Sequence, residues 1–201
     1  MRACHPVANI GRFLLGAWQV TRLGWDGMPA RTMRLRGTAR FSACAAGLLF
    51  EERGTMAAGT YLGEAVRRYI FRLEGDGAAD VCFEDGRLFH PINLEAGVAH
   101  VRHDCAPDRY EGRYRVLTPA CWLLSWRVTG PRKNYRVASR FIRKAPASPR
   151  EQPAGEAARP AEGTAHGPAN AVREAARWNQ WSCALQAPGA PPRRLSGERF
   201  D

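Results

Sequence analysis

Residues 108–116 read Asp-Arg-Tyr-Glu-Gly-Arg-Tyr-Arg-Val. Tyr110, Gly112, Tyr114 and Val116 therefore fall on one side of an extended chain, and Arg109, Glu111, Arg113 and Arg115 on the other. A helix would scatter both sets around its circumference. A strand with one apolar and one charged face satisfies them, so the aromatic side must find a core and the arginine side must meet water.

The same period recurs along the chain. Gly16-Ala-Trp18 opens a strand over 16–21, after a possible single helical turn at 9–15. In 33–41, Met33, Leu35, Gly37, Ala39 and Phe41 oppose Arg34, Arg36, Thr38 and Arg40. Segments 47–54 and 64–73 follow; in the second, Arg67, Tyr69, Phe71 and Leu73 share the face opposite Arg68 and Arg72. Segments 79–83 and 87–92 flank Asp85-Gly86, a dipeptide favoured in two-residue type I′ hairpins, where both central residues take positive φ. Segments 97–104, 110–117, 121–129 and 135–143 complete the series. No segment is a helix long enough for a βαβ crossover.

So many short strands laid flat would leave two open edges, which closure removes. The expected fold is all-β: a single antiparallel, up-and-down, lipocalin-like barrel of about eight to ten strands, whose interior takes side chains and at most one small ligand. Gly16-x-Trp18 resembles the opening of the first strand in lipocalins, and that resemblance implies that Arg136 or Arg140 of the last strand covers Trp18, a structural role.

Composition divides the chain. Ala, Pro and Gly supply 27 of the last 57 residues, with too few large apolar side chains to offset ordering. We therefore divide it into a barrel domain at 10–143 and a flexible tail at 144–201. Within the tail, 170–185 places Val172, Ala175, Trp178, Trp181 and Leu185 near one face of a possible docking helix. Residues 1–144 carry 23 Lys plus Arg against 13 Asp plus Glu, so the basicity belongs to the barrel. The arginines alternate along strands and lack interleaved exposed aromatics, which argues for a solvated outer face; neither nucleic acid nor membrane is an expected partner. The six cysteines form no CxxC pair, and the FLLGAW run is too short for a span of roughly 20 apolar residues. A cytoplasmic protein with reduced thiols is the expectation. The sequence carries no signal for oligomeric state.

The ordered set Gly16-x-Trp18, Arg68-Tyr69, Phe83-x-Asp85-Gly86-Arg87-x-Phe89-His90, His103-x-Cys105-x-x-Asp108-x-Tyr110 and Trp126-x-Val128-x-Gly130-Pro131-x-Lys133-x-Tyr135 resembles the domain of unknown function 6314 family. The likeness spans roughly 10–143, with Asn134 where an aspartate is expected before the tyrosine. It implies a calycin-type barrel and specifies no activity.

Three kinds of site remain open. A cavity lined by aromatics with an inward Arg67 suits a small anionic or amphipathic ligand, held by Arg67, Tyr69, His90, His103, Tyr110, Trp126, Lys133 and Tyr135, unless Glu51 or Glu52 already neutralises Arg67. A small cytoplasmic enzyme would work at the His103/Cys105/Asp108/Tyr110 cluster, with His103 as base, Asp108 to fix its tautomer and Tyr110 as acid or oxyanion donor. A metal would need His90, His103, Cys105 and Asp108 together, and a haem would take an axial ligand from His90, His100 or His103. No motif specifies a cofactor.

Overall fold

A computed structural model describes residues 3–27 and 30–145. The tail, with its possible helix at 170–185, lies outside the described residues.

Ten antiparallel strands form one meander. They are β1 (Gly16–Gly27), β2 (Ala30–Cys44), β3 (Gly47–Ala58), β4 (Tyr61–Leu73), β5 (Ala78–Cys82), β6 (Leu88–Asn93), β7 (Val98–Cys105), β8 (Asp108–Thr118), β9 (Cys121–Gly130) and β10 (Lys133–Arg143). β1 pairs with both β2 and β10, giving the order β6-β5-β4-β3-β2-β1-β10-β9-β8-β7. The two end strands, β6 and β7, come alongside each other without a ladder, so the barrel is nearly closed with one seam. Two N-terminal bonds stitch the base near this seam: Val7 N–H donates to the Leu94 carbonyl at 3.2 Å and His5 N–H to that of Val116 at 2.8 Å. Among the described residues no helix is long and apolar enough to cross a membrane.

The base is closed by one short helix, α1 (Ile10–Leu14), as the sequence suggested. Asn9 caps it by accepting the Arg12 N–H at 2.8 Å, and Ile10 and Leu14 turn inward. Trp18 is fully buried and donates its indole N–H to the Leu14 carbonyl at 2.8 Å. The cation over its ring is Arg143, 4.1 Å from the centroid, whose Nη1 also donates to the Leu15 carbonyl at 2.9 Å and Nη2 to that of Phe13. Arg136 and Arg140 have outward parity and are exposed, which corrects the expectation for them.

The Asp85-Gly86 hairpin forms, but its turn is not type I′. Gly86 has φ +83° while no non-glycine residue takes positive φ, so Asp85 does not meet the I′ requirement. Gly86 N–H donates to the Phe83 carbonyl at 3.0 Å and Phe83 N–H to that of Arg87 at 2.9 Å, which makes a three-residue loop with glycine in the left-handed position. A register shift between Val81 and Cys82 absorbs the extra residue.

Candidate functional site

Following inward parity up β1 from Trp18 leads through Val20 to Arg22, and there the interior turns polar. Arg22 and Glu52 are only 3% and 2% exposed. Arg22 Nη1 and Nη2 donate to Glu52 Oε1 and Oε2 at 2.7 and 2.6 Å, and Nε donates to Ser139 Oγ on β10 at 2.7 Å. Burial works against both charges. For Glu52 the neighbouring Arg22 and Arg67 outweigh it and hold the carboxyl below its ordinary range, so it is ionised. Burial pulls the Arg22 guanidinium below its ordinary range, while the paired Glu52 carboxylate works to keep it charged.

Arg67 completes the group from β4, with the inward parity read from the sequence; it is half-buried and lines the cavity above the pair. Neither glutamate offered as its bidentate partner serves it in that way. Glu52 gives both oxygens to Arg22, and Glu51 faces outward to Arg68 at 3.1 Å. The largest influence on Arg67, burial, disfavours its charge, but Tyr69, Glu52, Tyr135 and Tyr114 together reverse that and raise its pKa. The interior thus holds two guanidinium groups and one carboxylate within an aromatic wall.

His90 and Trp126 form the opposite wall. His90 is 1% exposed; its Nδ1 lies 3.1 Å from the Pro91 carbonyl, which can only accept, so Nδ1 carries the proton. Nε2 then accepts from the Tyr114 hydroxyl at 3.3 Å. Burial lowers the His90 pKa to about 4 and raises that of Tyr114, so both are neutral. Trp126 stacks on Phe89 at 5.3 Å, and Phe89 on Tyr69 at 5.6 Å. Glycine at 112 makes room for this: a Cβ there would lie 2.7 Å from the Trp126 ring. Trp122 also lines the cavity, and its indole N–H has no acceptor among the described residues.

Of the residues proposed from sequence, Arg67, Tyr69, His90, Tyr110, Trp126 and Tyr135 line this cavity, whereas His103 and Lys133 do not. His103 on β7 donates from Nδ1 to the Phe89 carbonyl on β6 at 2.7 Å, bridging the seam. Lys133 sits at the rim, its Nζ 2.6 Å from Asp108 Oδ2 and donating to the Tyr110 hydroxyl at 2.9 Å. Asp108 is therefore engaged with Lys133 and does not orient His103, which corrects the base-and-tautomer arrangement. Among the described residues no three His, Cys, Asp or Glu side chains gather as a metal set would, and His90, His103, Cys105 and Asp108 are not brought together. Of the histidines considered for a haem, His90 has both ring nitrogens engaged within the protein, His100 is exposed on the outer face, and His103, bound through Nδ1 across the seam, does not line the cavity. Sequence reasoning missed Arg22 and Ser139. The parity of Trp18 and Val20, carried one step past residue 21, points to Arg22.

No curated protein sequence matches the chain. Among solved structures it resembles an S-type phycobiliprotein lyase from Guillardia theta, with a TM-score of 0.51 at 9% identity, over 68% of this chain and 92% of the lyase. It also resembles a protein of unknown function of the DUF3598 family from Nostoc punctiforme, with a TM-score of 0.51 at 10% identity, over 70% of this chain and 51% of that one. At such identities the likeness is one of fold, a calycin-like barrel. Residues 14–143 match the Family of unknown function (DUF6314), more than half of the 201-residue chain, and the chain belongs to that family.

Proposed function

We propose that the barrel binds a small anionic or amphipathic molecule whose acidic group meets Arg67 and whose apolar part lies against Tyr69, Trp126 and Tyr135. The observation that carries this reading is the charge imbalance in the interior: Glu52 is already bidentate to Arg22, which leaves the second guanidinium, on Arg67, facing an aromatic cavity. A ligand carboxylate or phosphate would supply the missing negative charge with paired hydrogen bonds. The free space is about 50 Å³. One water needs about 10–15 Å³ and a drug-sized ligand at least about 300 Å³. The space therefore suits a compact acid or an acidic head group.

A second reading, a small enzyme, is favoured by one contact. Lys133, held by Asp108, donates to the hydroxyl of Tyr110, which lines the cavity and could act as the acid towards a bound molecule.

Benzoate and benzamide, followed by tryptophan quenching, test the first reading. Charge-assisted hydrogen bonds contribute about 1.5 to 3 kcal/mol, so Arg67→Met should weaken benzoate by roughly ten- to a hundredfold and leave benzamide nearly unchanged. Equal losses for both, or no saturable binding of benzoate to the wild-type chain, would overturn it.

A further inference from the structure

The outward side chains of β2, β1, β10, β9 and β8 assemble into one surface. Register places Arg34 beside Leu23, Trp25 beside Arg136, Arg136 beside Arg127, and Arg36 and Arg140 on either side of Thr21. Arg113 follows across β9, opposite Ser125. These six arginines, 34, 36, 113, 127, 136 and 140, are exposed, and none forms an ion pair among the described residues. The other side of the barrel differs: Arg53, Arg68, Arg72, Arg87 and Arg102 all have carboxylate partners, as does Arg109 on β8. On the basic surface Glu111 is the carboxylate at the margin, opposite Arg127. In its middle stand Leu23, 55% exposed, and Trp25, 46% exposed.

We propose that this face docks on an anionic lipid surface, with Leu23 and Trp25 entering the interfacial layer and the surrounding guanidinium groups on headgroup phosphates. Six like charges without an ion pair among the described residues repel one another, and a dense array of phosphates relieves that repulsion. The apolar pair discriminates between anionic partners. One indole beside an aliphatic side chain suits burial at a headgroup boundary, where tryptophan is favoured, whereas single-stranded nucleic acid is held by successive aromatic platforms. Ile142, on the same face and 36% exposed, extends the apolar element along β10. The expectation that no exposed aromatic interleaves with the arginines is corrected by Trp25.

The test is co-sedimentation of the full chain with vesicles of phosphatidylcholine alone or with about one third phosphatidylserine, at low and physiological salt. Binding should require phosphatidylserine and weaken with salt. Arg136→Glu/Arg140→Glu and Leu23→Ser/Trp25→Ser should each reduce it at least tenfold with melting unchanged. The control Arg72→Glu/Arg87→Glu, equal in charge but on the paired side, should bind as wild type. Equal loss in that control would show a mere net-charge effect and overturn the assignment. So would absence of binding to the serine-containing vesicles, or fluorescence anisotropy showing that a single-stranded oligonucleotide binds through these same residues while the vesicles do not.

Discussion

Glu52 and His90 are the two buried titratable residues whose environments make the sharpest demands on stability. Removing the Glu52 carboxylate would leave Arg22 buried with Ser139 as its remaining hydrogen-bond partner. Glu52→Ala is expected to lower the unfolding free energy by about 3 to 5 kcal/mol in urea titrations, and the paired change Arg22→Met/Glu52→Leu should recover much of it. His90 acts through pH. Its pKa is about 4 in the folded barrel, against 6.5 for a free side chain. Below pH 6.5 the unfolded chain takes up a proton that the native state refuses until about pH 4. Stability therefore falls through that window as pH drops, by up to about 3 kcal/mol. His90→Gln should flatten the wild-type curve there, and parallel curves for the two proteins would disprove the assignment. The neutral state of His90 comes from packing; the sequence shows only a histidine after a phenylalanine, as compatible with a ligand as with a wall.

At the scale of elements, alternation was legible almost everywhere: each of the ten strands appears where period-two segments occur, and β1 and β2 run several residues beyond their expected ends. The turn at 83–87 was not, because Asp85-Gly86 fits both a two-residue loop and the tail of a three-residue one, and the register shift at Val81/Cys82 decides between them. The seam was equally hidden. β6 and β7 follow each other in sequence like any other neighbours, yet they end the sheet, and the His103 to Phe89 bond spans the gap. His103→Leu is expected to cost about 1 kcal/mol and to speed amide hydrogen exchange selectively in β6 and β7 by roughly fivefold, measured by mass spectrometry. Uniform exchange across all strands would show that the bond does not hold the seam.

For the whole molecule, the composition break near residue 144 and a family match ending at 143 lead to one expectation. A chain ending at Ala145 should give a β-dominated far-ultraviolet spectrum and a cooperative melt with the midpoint of the full chain, and a mainly helical or unfolded product would refute that boundary. The sequence by itself determined which side of each strand faces in, since successive side chains must point to opposite faces. That parity was enough to imply a closed, aromatic-lined barrel and to turn Arg67 inward. It says nothing about neighbours on other strands. Arg22, Glu52 and Ser139 meet across separations of 30 and 117 residues, and the six outward arginines become one surface, because the closure of β1 on β10 and the inter-strand register align them. Period fixes a side chain's direction locally; its partners depend on pairing between distant segments, and only the folded sheet decides that.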